Sequence, residues 1–194
     1  EAYIVRNFLT ECNAQFVNIG LDSETVSGLS EEKHPFPRPC LMDRIDKALS
    51  EIKPDYVFFM YGMNDGMFSK LDEGRFDAFK KNVLSCVDKV NNAGAEMIIL
   101  TPTPFDPGSF MGELSDDEEP AEGYLAPYKY YNETLRAYSQ WLCTLGDRVY
   151  KVIDVFSAAE KFLSDCYDRN PQYTSGDGIH PNYGIHWGIS CQIL

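Results

Sequence analysis

With 194 residues, 44% of them apolar and 13% aromatic, the chain has the size and composition of one globular domain, able to bury roughly 70% of its unfolded surface. A formal net charge of −13 argues against nucleic acid as a partner, because phosphate binding needs clustered Lys and Arg. No run approaches the roughly 18 apolar residues of a membrane span, and the opening EAYIVRNFLTEC lacks the basic and apolar regions of a signal peptide.

Strand-like and helix-like segments alternate without internal repeats, the pattern of an α/β fold with a parallel sheet. Residues 2–12 read as a helix with Val5, Phe8, Leu9 and Cys12 on one face. Ala14–Gly20 reads as a short strand. Leu41, Met42, Ile45, Ala48, Leu49 and Ile52 mark an amphipathic helix. Tyr56–Tyr61 is apolar almost throughout, as a strand buried on both faces should be. Phe76–Asn92 follows as a helix ending near Gly94, and Met97–Thr101 as the next buried strand. Tyr131, Leu135, Tyr138, Leu142 and Leu145 step at helical spacing up to Gly146. Val149–Val155 is a further strand, Ser157–Ser164 a helix, and Tyr183–Leu194 the last helix.

Between Pro104 and Pro127 lies a long segment with seven acidic residues, from Asp106 to Glu122, and no base. It reads either as a solvated acidic loop or as a lid, since it follows the carboxyl end of a strand, where open α/β sheets bind ligands. As a lid it would offer Phe105, Phe110, Met111 and Tyr124 as apolar lining. Cysteines at 12, 40, 86, 143, 166 and 191 show neither C-x-x-C nor zinc-ligand spacing. They read as reduced structural thiols, with Cys86 and Cys143 inside helices, which favours a cytoplasmic setting.

Three short stretches, each just after a predicted strand, carry the chemistry. In Asp177-Gly-Ile-His180-Pro-Asn182, a carboxylate three residues before an imidazole can hold Nδ1 and leave Nε2 free to take a proton. Asn182 then suits the N-cap of the last helix. In Gly62-Met-Asn64-Asp65, a side-chain amide at a strand end can donate to an oxyanion. In Asn18-Ile-Gly20-Leu-Asp-Ser23-Glu-Thr25, a glycine-containing loop can aim a backbone N–H at the same place. Each stretch alone is equally a capped turn. A metal or phosphate site built from Asp65, Asp177, His180 and His186 is a further reading, weakened because His186 lies six residues past His180 and off its helical face.

Taken together and in this order, the stretches resemble the SGNH/GDSL hydrolases, a family of serine esterases and lipases with a flavodoxin-like three-layer α/β/α sandwich. The resemblance covers essentially the whole chain as a single domain, residues 1–194. It implies that His180 is the base, Asp177 its orienting partner and Asn64 an oxyanion-hole side chain. Gly62 and Asp65 would then line the substrate. Asn18–Thr25 is similar to the family's N-x-G-x-x-G-x-T stretch, so Ser23 takes the place of an oxyanion-hole glycine, with Gly20 as the fallback. Tyr131-Asn-Glu-Thr-Leu135 is similar to the Y-N-x-x-L helix between the later motifs.

The family opens with a strand ending in G-D-S, whose serine attacks the ester, and no G-D-S occurs in these 194 residues. Ser23 and Ser27 are the nearest candidates by topology, but Ser23 falls in the second motif and neither is read as the nucleophile. The missing strand would sit between Ala14–Gly20 and Tyr56–Tyr61. Unpaired buried backbone groups there would cost about 1–3 kcal/mol each, several of them rivalling a total stability of about 5–15 kcal/mol. The expectation is therefore that upstream sequence, or another chain, supplies the strand and its serine. The implied reaction proceeds through an acyl-enzyme without metal or organic cofactor, on a small-molecule or glycan ester. The acidic segment leans the choice towards a neutral acylated carbohydrate. The alternative is a non-catalytic binding module on the same fold.

Overall fold

The computed structural model describes residues 14–193. The helix expected over residues 2–12, and with it Cys12, lies outside the described residues. Three parallel strands form the sheet in the order β1 (Tyr56–Phe59), β2 (Glu96–Leu100), β3 (Lys151–Ile153). Val57 pairs with Met97, Phe59 with Ile99, and Ile99 with Val152. Five helices surround it: α1 (Ile45–Ile52), α2 (Glu73–Asn92), α3 (Tyr131–Cys143), α4 (Val155–Arg169) and α5 (Tyr183–Ile193). A 3-10 turn at Leu41–Asp43 leads into α1.

Alternation along β2 divides the helices into two layers, because successive strand residues face opposite sides. Met97 and Ile99 join Phe59 in a cluster with Ile45 and Leu49 of α1, Phe79, Val83, Cys86 and Val87 of α2, and Tyr138 and Leu142 of α3. Ile98 and Leu100 face the other way, onto Ile153, Val155 and, from α5, Ile189 and Ile193. The result is a three-layer α/β/α sandwich. Capping follows the sequence: the Asp72 side chain accepts from Arg75 N at the start of α2, Asp154 from Ser157 N at α4, and Asn182 from Ile185 N at α5.

Four expectations are corrected. Ala14–Gly20 makes no strand, and residues 15–20 are exposed. With no neighbouring strand beside it among the described residues, this segment has no ladder to join. Tyr56–Tyr61 is not buried on both faces: the strand ends at Phe59, with Tyr56 51% and Phe58 49% exposed. β1 is an edge of the sheet among the described residues, and none of its residues joins the cluster that α5 forms on the second face of β2 and β3. The helix expected at Ser157–Ser164 is longer at both ends: Asp154 caps it earlier, and it continues to Arg169, where the Asn170 N–H donates to Cys166 O. Cys143 is exposed, whereas Cys86 is buried and its thiol is pushed up to about 12 by desolvation.

Candidate active site

The carboxyl ends of β1 and β2 point the chain into the turns that carry the motifs. After β1, Gly62 takes φ +131° with its Cα face against Pro102, where a Cβ would sit 3.0 Å from Pro102 Cγ. The turn closes through Gly66 N to Gly62 O and Met67 N to Asn64 O. Asn64 sits at its crest, and its Nδ2 donates to Glu24 O at 3.2 Å. An asparagine amide has two N–H groups, so one bond fixes its orientation and the other remains for a ligand.

Asp65 lies beneath the crest, fully buried, with Oδ1 accepting from Val26 N at 3.0 Å and Ser27 N at 2.8 Å. Oδ2 has no partner among the described residues. Burial raises this carboxyl to about 6 against the opposing pull of its backbone donors. Gly62 is buried too, making room for Pro102, and Asp65 ties the 62–66 turn to the 23–27 loop.

That loop is held from several sides. Thr25 bridges to Cys40, with Thr25 N donating to Pro39 O and Leu41 N to Thr25 O. Asn82 Nδ2 donates to the carbonyls of Val26 and Ser27. Arg38, buried with Glu31 in a two-pronged ion pair at 2.6 and 2.7 Å, donates from Nη1 to Ser23 O. Ser23 itself takes φ +61°, a conformation that favours glycine. The Gly20 N–H is engaged by the Asn18 side chain at 3.0 Å on the exposed segment, which leaves Ser23 as the better backbone donor of the two.

The second turn carries the candidate acid–base pair, Asp177 and His180. His180 Nδ1 lies 2.7 Å from Asp177 Oδ2, while Asp177 Oδ1 accepts from Ile179 N at 2.9 Å and His180 N at 2.7 Å. Partial burial alone would raise the Asp177 carboxyl, but these three hydrogen bonds outweigh it and hold it at about 2. An ionised carboxylate only accepts, so Nδ1 is the ring nitrogen that carries the proton in this pair, and Nε2 is turned away from Asp177. The His180 side chain is 83% exposed. Gly178, at φ +84°, allows Asp106 N to donate to its carbonyl at 2.8 Å.

The two turns border one apolar cluster. Met63, next to Asn64, and Ile179, next to His180, each pack against the cluster formed by Phe68, Phe105, Tyr131, Leu135 and Phe156, as do Phe110 and Tyr124. Helix α3 holds the first turn directly, Tyr131 Oη donating to Met63 O at 2.5 Å, and its Asn132 side chain brackets Phe105 through its N–H and carbonyl, next to the Asp106 whose N–H donates to Gly178 O. The resemblance marked this Y-N pair without a role; bonds spanning 27 and 68 residues leave no local signal. The same holds for Glu24, whose carbonyl holds the Asn64 amide from 40 residues away, and for Arg38.

The segment 104–127 is tied down along its length. Asp106 accepts from Ser109 and Tyr167, Ser115 bridges to Tyr128, and Lys70 and Arg75 pair with Glu118 and Glu119 at 2.8 Å. Lys129 pairs with Asp116. Three of its seven acids, Asp116, Glu118 and Glu119, are thus matched by bases outside it, and these ties hold it against the body as an acidic wall. Among the described residues no group of three or more His, Cys, Asp or Glu side chains is placed to hold a metal ion. No helix is long and apolar enough to cross a membrane among them either.

Solved structures of similar fold are known. Two catalytic mutants of Axe2, an acetylxylan esterase from Geobacillus stearothermophilus, superpose with TM-scores of 0.56 at 16% and 17% identity. An Axe2 mutant described as an acetyl-xylooligosaccharide esterase from the same organism gives 0.55 at 16%. Each match covers 79% of this chain and 64% of the neighbour, so the chain spans less than two thirds of their length. At such identity the likeness concerns the fold, which is that of SGNH esterases. No curated protein matches the chain. The model of the GDSL-like Lipase/Acylhydrolase family matches residues 2–187, nearly the whole chain, and the chain belongs to that family.

Proposed function

We propose that the chain forms the body of a serine-dependent carboxylic ester hydrolase. The observation that carries this reading is the pairing of the Asn64 turn and the Asp177–His180 turn over one cluster, through Met63 and Ile179. Nε2 of His180 takes the proton from the attacking serine and returns it to the leaving alcohol. Asp177 holds the ring and stabilises the imidazolium. The free Asn64 N–H and the Ser23 N–H receive the oxyanion, and water then releases the acyl group.

The nucleophile is a serine outside these residues, on a strand that pairs with the open edge of β1. Ser27 is buried, with its side chain accepting from Leu29 N, and it does not serve. The half-exposed Tyr56 and Phe58 and the unpartnered Asp65 Oδ2 support an additional segment at this edge. For substrate, a neutral acylated carbohydrate or other short-chain ester is favoured. Tyr124 stands on the shared cluster with His34 at 4.9 Å and Phe36 beyond it, an aromatic wall suited to a sugar ring. The acetylated xylan substrates named for the structural neighbours point the same way.

The test uses the complete protein and a fluorophosphonate probe. One serine is labelled, and His180→Ala abolishes labelling and ester turnover together. A complete protein that resists the probe but binds acetylated xylo-oligosaccharides would instead be a non-catalytic module.

A further inference from the structure

Glu24 follows Ser23 directly and is almost fully buried. Arg44 reaches it with two prongs, Nε to Oε1 at 2.6 Å and Nη2 to Oε2 at 2.5 Å. The Tyr61 hydroxyl also donates to Oε2. Burial first, and then this bond, push the Tyr61 hydroxyl well above its ordinary range, so it stays a donor. The backbone carbonyl of the same Glu24 is the acceptor that fixes the Asn64 amide. One residue thus touches both halves of the proposed oxyanion hole: its N–H follows Ser23, and its C=O orients Asn64.

This placement is electrostatically awkward. A buried carboxylate beside a site where negative charge must develop raises the barrier, unless that charge is matched. Arg44 and Tyr61 match it, from the body side of the loop.

We infer that Glu24 is a positioning residue of the oxyanion hole and that Arg44 and Tyr61 keep its charge from opposing the oxyanion. The inference rests on the hydrolase reading above. The ion pair is more than a fold staple because the carbonyl it immobilises is the one that holds Asn64. A pair placed only for stability would show its loss in melting temperature and leave turnover by the folded enzyme unchanged.

The experiment measures kcat, KM and melting temperature on the complete protein with p-nitrophenyl acetate, for Arg44→Gln, Tyr61→Phe and the double variant Glu24→Gln/Arg44→Gln. Arg44→Gln is expected to lower kcat by about 10–100-fold with KM within about twofold, because only transition-state binding is lost. Tyr61→Phe, which deletes one hydroxyl, is expected to lower kcat about 3–10-fold. The double variant removes the uncompensated charge and is expected to recover about tenfold over Arg44→Gln. Should Arg44→Gln fail to fold, Tyr61→Phe and the double variant carry the comparison with wild type. A kcat unchanged in Tyr61→Phe and in folded Arg44→Gln would overturn the inference, as would a double variant no better than the single. In those cases the wild type still reacts with fluorophosphonate. A wild type inert to probe and ester overturns the hydrolase reading itself and this inference with it.

Discussion

The hydroxyl of Tyr131 donates to the carbonyl of Met63 at 2.5 Å, so the first residue of α3 holds the turn on which Asn64 stands. The ring sits fully buried beside Phe68 and Phe105, and its oxygen lies so close to Gly66 that no side chain fits there. Tyr131→Phe keeps the packing and strands a carbonyl. It should cost about 1–3 kcal/mol in urea unfolding and lower ester turnover several-fold. Unchanged stability would show that the carbonyl finds another donor.

Gly178 is the position where the acid–base turn tolerates least. A Cβ there would lie 2.5 Å from Asp106 O and 3.0 Å from Phe110 N, at a φ of +84°. Gly178→Ala should displace Asp177 and His180 together, destabilising by about 1–3 kcal/mol and lowering kcat by at least about tenfold. Paired unfolding and rate measurements check both numbers.

The Asp65 carboxyl gives a pH signature. Its folded value, about 6, lies above the ordinary 3.8 because of burial. The protonated form is thus favoured by folding, and the stability this group contributes is full below about pH 4 and is lost as pH rises through 6. Between pH 5 and 8, wild type should lose about 1.4 kcal/mol relative to Asp65→Asn, read by urea unfolding. A parallel dependence in the two proteins would place the carboxyl in a paired environment.

The acidic wall rests on exposed pairs, each worth about 0–1 kcal/mol. Lys70→Ala combined with Arg75→Ala removes the partners of Glu118 and Glu119. Hydrogen exchange over residues 113–123 should then quicken, while α2 beneath stays protected. The effect on wild type should also grow with added salt, because screening weakens the same pairs.

Much of the fold was legible because its buried helices repeat at 3.6 residues and its central strand carries a continuous apolar run: Tyr131, Leu135, Tyr138, Leu142 and Leu145 are all buried, as are Met97–Leu100. Ala14–Gly20 misled because an apolar run shows strand propensity but does not show whether a neighbour is present to pair with. Tyr56–Tyr61 misled for the same reason, on the side of β1 that lacks a neighbour. In the candidate site, Asp177 and His180 were readable since they lie three residues apart on one turn. Gly62 and Asp65 share a motif with Asn64, but sequence spacing does not distinguish a crest from its foundation, and both turned out to be buried. Glu24, Arg44 and Tyr61 assemble across 20 and 37 residues, beyond any local pattern.

The most direct measurement is a crystal structure of the complete protein after reaction with a fluorophosphonate. The phosphoryl oxygen should lie about 3 Å from Asn64 Nδ2, with His180 Nε2 within hydrogen-bond reach of the modified serine oxygen. An adduct that touches neither Asn64 nor His180 would contradict the account.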